Sequence, residues 1–206
     1  TTFRHSLAAL LDDVEFYVYG GDFVNRTPYR VHIVEPPQLE QVELACFYPT
    51  YTRMQNPEST NENPLRDVVP VRGTQIELPN ETEFLLNATC NKTLTKVRIQ
   101  FGGYELTFGR STDSADASAL LVHRSEEDEV LENRDIPAEV FQKWVSEGGT
   151  QISVPFVLTA YETDAAITRA NELMTEVGKP FVLAPDTNVR IYLEDSDGIL
   201  TAEPSR

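Results

Sequence analysis

Basic charge is scarce in this chain. Its 17 Lys and Arg stand against 33 Asp and Glu, a formal net charge of −16 over 206 residues. Nucleic-acid backbones are bound by clustered Lys and Arg, so DNA and RNA are excluded as partners. An anionic membrane surface is excluded on the same ground. Long apolar runs are missing too. The chain's apolar stretches, such as Ala119-Leu120-Leu121-Val122 and Val154-Pro155-Phe156-Val157-Leu158, fall far short of the roughly 20 residues that span a bilayer. Direct membrane insertion by this segment is therefore not expected. No charged-then-apolar leader opens the chain. It starts at Thr1 without a Met and stops at Arg206 just past an acidic, turn-like stretch, and it is expected to be an excerpt of something longer.

Chemical signatures are equally sparse. There is no Gly-x-Ser-x-Gly elbow, no Walker loop and no Gly-x-Gly-x-x-Gly. Gly102-Gly103 and Gly148-Gly149 lack any phosphate-binding pattern downstream. His5, His32 and His123 are far apart, and no pair has metal-ligand spacing. Each reads as a plain strand or loop histidine. Cofactors are not expected. The only cysteines are Cys46 and Cys90, too few for a structural zinc site. Both fall on apolar alternating faces. Either they are two buried thiols, or they bridge neighbouring strands. A bridge over the roughly 44-residue span would add about 3–4 kcal/mol in the chain-entropy picture.

What the chain does have is a globular composition, 40% apolar with 9% aromatic residues, which is not that of a disordered acidic chain. At this length folding buries roughly 70% of the unfolded surface, so the core needs no staples. The dominant period is two. Val14 to Tyr19 is β-branched and aromatic and stops at Gly20-Gly21-Asp22. Tyr29, Val31 and Ile33 alternate before Pro36-Pro37. Val42, Leu44 and Cys46 alternate, as do Phe84, Leu86, Ala88 and Cys90. So do Val97, Ile99 and Phe101, then Leu106 and Phe108, then Ile152, Val154, Phe156 and Leu158, and last Val189, Ile191 and Leu193. Alternation gives each strand one buried and one wet face, the mark of antiparallel sheets. Many short strands with Gly and Pro turns point to a sandwich or barrel.

Helix signals are few. Pro137 to Val145 has Pro in the first turn and apolar residues at 140, 141, 144 and 145. Thr163 to Val177 is better, with Ile167, Ala170, Met174 and Val177 on one stripe, Thr163 as cap and Gly178 with Pro180 as stop. Trp144, four residues after Val140, is expected to dock in the core rather than serve as a sugar platform. Two loops stand out, 56–64 and 125–135, and the Pro36-Pro37 pair reads as the domain junction.

Carboxylates are abundant, so paired-acid glycosidase chemistry is tested and set aside, because the acids of 126–135 have no aromatic among them. That stretch reads as a solvated loop, with weak calcium binding at Glu126, Glu127, Asp128 and Glu129 as its chemical alternative. Asp195-Ser196-Asp197-Gly198 imitates the front of a calcium loop, but position 12 would be Arg206, so a β-turn closed by Gly198 is the better reading. Asn-x-Thr triplets begin at Asn25, Asn80, Asn87 and Asn91. Glycan sites in a secreted eukaryotic protein, they are read here as coincidence in a Thr-rich β-chain.

The order of segments carries a resemblance. Tyr17-Val18-Tyr19-Gly20-Gly21-Asp22 with Tyr29-Arg30-Val31-His32-Ile33-Val34-Glu35-Pro36-Pro37 resembles the ending of an Ig-like module. Val42-Glu43-Leu44 with Phe47-Tyr48-Pro49-Thr50-Tyr51-Thr52 resembles the opening of the next. Arg72-Gly73-Thr74 within 69–78, Asn91-Lys92-Thr93-Leu94, and Val189 to Gly198 resemble its later strands and turns. The set, touching about half the chain, is similar to the extracytoplasmic Ig-like segment of large, membrane-anchored, uncharacterised bacterial proteins. The resemblance implies a mainly β fold, an Ig-like antiparallel β-sandwich with a short helical insertion. It implies residues 1–37 as terminal strands of a preceding module, or as strands joining the main domain. Residues 38–206 are then the sandwich, with insertions near 110–150 and 163–180. It implies a place in the periplasm or at the cell surface, and brings no catalytic residue. The function expected is a non-catalytic structural or interaction module of the cell envelope, whose partners are another protein or neighbouring domains of the same chain. The alternatives are a carbohydrate- or calcium-binding accessory module and an enzyme of unrecognised type.

Overall fold

A computed structural model describes residues 12–60, 65–110, 117–125, 127–146, 148–160, 163–177 and 179–201, without the side chains at 23, 110, 117, 164 and 172–177. The chain divides into two compact units, Thr1–Glu35 and Pro36–Arg206. The boundary falls at the proline pair.

The first unit is a nested β-hairpin. β1 (Val14–Phe16) pairs antiparallel with β4 (Tyr29–Val31), and inside them β2 (Tyr19–Gly20) pairs with β3 (Phe23–Val24). Gly21, at φ 58°, begins the two-residue turn, a conformation that favours glycine. Asn25 spans the gap between the two ladders, accepting from the Val18 N–H through its side chain and donating its own N–H to Val18 O. Asp13 clamps the base, accepting from the Ile33 N–H at 2.8 Å and meeting His32 Nδ1 at 2.7 Å. The Ile33 N–H and His32 together hold its carboxyl below the usual value.

The second unit is built on two five-stranded sheets. β5 (Leu39–Phe47), β6 (Asp67–Pro70), β7 (Glu83–Cys90), β12 (Gln151–Leu158) and β13 (Phe181–Leu183) form the first, in the order β13-β12-β7-β5-β6. β8 (Leu94–Phe101), β9 (Tyr104–Arg110), β10 (Ala117–Arg124), β11 (Val130–Asp135) and β14 (Val189–Asp195) form the second, ordered β11-β10-β9-β8-β14. With 47% strand against 10% helix the fold is mainly β, and neither sheet closes into a barrel. β8, β9 and β10 follow one another by hairpins, and β14 returns beside β8, a Greek-key arrangement. Gly102 and Gly103, at φ 48° and 81°, make the tight β8–β9 turn.

The alternating residues meet between the sheets. Leu86, Val154 and Phe156 of the first sheet share one buried cluster with Ile99, Leu106 and Leu193 of the second. Phe101 and Phe156 meet edge-to-face across it, centroids 5.3 Å apart. α1 (Ala138–Phe141), capped by Pro137, runs into a 3-10 turn (Gln142–Trp144) that drops Trp144 onto Phe108 and Phe181. Trp144 is therefore core, as its spacing predicts.

Three expectations change. The sheets are not wholly antiparallel: β12 and β13 pair in parallel, and a parallel pair needs a crossover, which α2 (Asp164–Val177) supplies. Residues 110–150 hold β10 and β11 as well as α1. The acidic stretch 125–135 is a short turn followed by β11, not a loop throughout. As an edge strand, β11 leaves Val130 and Leu131 exposed, so its sequence shows no apolar period. Part of the other expected loop, 61–64, lies outside the described residues.

Thr163 caps α2 through its Oγ1, which accepts the Ala166 N–H at 3.3 Å. Two turns past the cap, Asn171 is fully buried. Its Oδ1 accepts the Val182 N–H at 2.7 Å and its Nδ2 donates to Val182 O at 3.1 Å. One carboxamide thus pairs with edge strand β13 as a neighbouring strand would, and closes that edge to other chains. At the far end of the second sheet Asp195 is 1% exposed and pairs with Lys92 at 2.9 Å. Its other oxygen accepts the N–H groups of Asp197 and Ile199, and Gly198 N–H donates to Asp195 O. The stretch 195–198 is the β-turn expected.

Replacing Asn171 by Leu strands both polar groups of Val182 and is expected to lower unfolding stability by about 2–4 kcal/mol in urea titration. Asp195 provides a pH test. Burial opposes its charge, but Lys92 and the two N–H donors outweigh burial and hold its carboxyl below the ordinary value. The stability from a lowered pKa is present above the unfolded value and is lost as pH falls through the folded one. The acid-side drop in Tm below about pH 4 is expected to shrink in Asp195→Asn, which is less stable at neutral pH. An unchanged acid limb would remove Asp195 from that role.

Candidate functional site

The acidic turn is built from the β10–β11 hairpin. Asp128, at φ 64°, donates its N–H to Ser125 O at 3.0 Å, and Glu129 N–H reaches Ser125 Oγ at 3.1 Å. The Arg124 guanidinium lies 3.5 Å from the Asp128 carboxylate. Glu127, Asp128 and Glu129 are exposed, while Glu126 lies outside the described residues. Among the described residues no three His, Cys, Asp or Glu side chains gather as a metal site.

The cysteines resolve into the first of the two alternatives. Both are free and buried. Cys46 on β5 stands opposite Phe84 on β7, and Cys90 lies six residues further along β7, opposite Leu39. At about 3.4 Å per residue the two are about 20 Å apart, and a disulfide needs its Cα atoms within about 7 Å. The bridge is therefore ruled out by register. Burial pushes the Cys46 thiol up, and pushes Cys90 up to about 11, so neither is a ready nucleophile.

The remaining candidates take structural places. His5 lies outside the described residues. His32 serves the hairpin clamp, and His123 stacks on Tyr104 with centroids 4.4 Å apart. Asn80 accepts the Ala160 N–H at 2.6 Å, and its Nδ2 is buried, which leaves no room for a glycan there. Asn91 accepts the Gln38 N–H, and Asn87 accepts the Ser153 hydroxyl.

Two depressions open on the second unit. One, of about 570 Å³, lies where the β8–β9 turn, the end of β10, α2 and β13 converge. Phe101, Ile167 and Val182 line its apolar side, with His123, Thr168 and Thr187 around them. Arg124, beside it, is held by Glu105 at 3.8 Å as well as by Asp128. The other, of about 490 Å³, lies on the outer face of the first sheet and is lined by amides and hydroxyls of β5, β7 and β12. Sequence reading followed only the apolar half of these strands. The missed signal was the other half, where positions 41, 43, 87, 89, 151 and 153 are all polar.

The first unit presents a different surface. Val14 faces Val31 and Phe16 faces Tyr29 across the ladder, the two rings stacked 5.4 Å apart. Glu15 and Arg30, one step out of phase, form an ion pair at 2.6 Å. Phe16, Tyr17 and Tyr29 are each 40–54% exposed and Tyr19 is 71% exposed.

No protein-family model, curated protein or solved structure matches the chain. Among the described residues no helix is long and apolar enough to cross a membrane.

Both thiols are expected to resist alkylation in the folded protein and to react at once in denaturant, with no change in Tm on adding reductant. Neutralising Glu127, Asp128 and Glu129 should leave Tm unchanged with or without calcium. A chelator-sensitive rise in Tm that vanishes on neutralisation would restore the acidic turn as a site.

Proposed function

We propose that the chain is a non-catalytic structural and interaction module of a bacterial cell-envelope protein, outside the cytoplasm as part of a membrane-anchored parent. In this reading residues 38–206 are an Ig-like sandwich elaborated by α1 and α2, and residues 1–37 are closing strands of a preceding module. The strand and turn markers of 17–52 and 189–198 support the family side of the reading. The observation that carries it is the hairpin of 14–31. It has the alternation of a strand pair that lies over a core, apolar on one face and ion-paired on the other. A lone two-stranded ribbon is marginal in water. Clustered exposed aromatics on such a ribbon mark a surface that binds protein. The acidic charge elsewhere keeps like chains apart.

Hydrogen exchange tests this. The amides of 14–31 are expected to exchange fast in the 206-residue chain alone and slowly in the protein as the cell makes it. Equal rates in both would sink the interaction role. Fractionation is expected to recover the native protein outside the cytoplasm, and recovery in the cytosol would overturn the envelope assignment.

A further inference from the structure

The outer face of the first sheet is an ordered polar grid. The register sets Gln41 beside Thr89 beside Gln151, and Glu43 beside Asn87 beside Ser153. Neighbouring strands are about 4.8 Å apart, and same-face residues along a strand about 6.8 Å, so the six side chains form two parallel rows. The inward neighbours Ala88, Cys90, Ile152 and Val154 are buried, which fixes the six outward. Ser153 Oγ donates to Asn87 Oδ1 at 2.7 Å within one row, and Gln41 Nε2 donates to Glu43 Oε2 at 3.0 Å between the two rows. Lys143 and Ser146, beside Trp144, help line the depression. The next row along, Ala45, Leu85 and Pro155, is apolar.

We propose that this face binds an uncharged oligosaccharide. A sugar hydroxyl both donates and accepts, and a planar carboxamide offers both functions in one plane, so Gln41, Asn87 and Gln151 can each meet adjacent hydroxyls. Ala45 is buried, but Leu85 and Pro155 of that row are partly exposed and offer an apolar edge to the C–H face of a pyranose ring. Glu43 and Lys143 carry one charge of each sign, and the net charge of −16 repels acidic glycans. Trp144 turns its ring into the core, so the face has no stacking platform and a dissociation constant of about 1 mM is expected. The assignment goes beyond the interaction role proposed above and stands on a different surface.

The test is an NMR titration of the 206-residue chain with neutral hexasaccharides of glucose and of N-acetylglucosamine, and with an acidic galacturonate hexasaccharide. At least one neutral sugar is expected to shift amides at 41, 43, 87, 89, 151 and 153. Asn87→Ala and Gln151→Ala are each expected to weaken it up to about tenfold. Thr89→Val, which keeps strand propensity, tests the same face if an Ala variant fails to fold. Lys96→Ala, on the other sheet, should bind as the parent does. Absence of shifts from both neutral sugars up to about 20 mM overturns the proposal. So do shifts centred elsewhere, undiminished binding by the variants, or tighter binding of the acidic sugar.

Discussion

Phe101 meets Phe156 edge-to-face, and Phe181 packs against both. These rings come from opposite sheets, and the second unit hangs on their contact. Each sheet is apolar on one side only, so neither is stable in water until that side is covered. Covering one with the other sends the polar halves outward. The amide grid of β5, β7 and β12 is thus a by-product of the same alternation that makes the core. Trp144 fills the remaining space against Phe108 and Phe181, which explains why a short helix and 3-10 turn interrupt the strands there.

Closing a core between two open sheets leaves strand edges, and the chain treats them individually. Asn171 occupies the hydrogen bonds of Val182 on β13. The segment after the 195–198 turn folds back on β14, where Thr201 N–H donates to Leu193 O. β6 is four residues long and ends in Pro70. From Leu131 on, β11 alternates exposed and half-covered residues, with Glu132 and Arg134 paired at 2.6 Å. Adventitious strand pairing is discouraged at each. The aromatic residues of the 14–31 hairpin, by contrast, stay exposed.

Much of this was legible. Strict alternation marked six of the eight long strands of the second unit, because a half-buried strand must alternate; β10 showed only as the apolar run Ala119 to Val122. Thr163 and the stripe from Ile167 marked α2, and Asp195 to Gly198 marked a turn. β11 was hidden because an edge strand exposes Val130 and Leu131. β13 was hidden because three residues carry no period. Asn171 reads as an ordinary polar residue of a helix, and only its placement against Val182 makes it a strand mimic.

The sequence by itself determined the class of local structure: which residues extend, which turn, and which face of each strand is apolar. Backbone sterics and the two-residue period act within a few neighbours, so they are written locally. Which strands pair, and in what register, is decided only when the sheets assemble, because that choice depends on burying all the apolar faces at once. Register put Cys46 and Cys90 about 20 Å apart when their faces alone would have allowed a bridge. It also lined up six polar side chains from three strands, distant in the chain, into one surface.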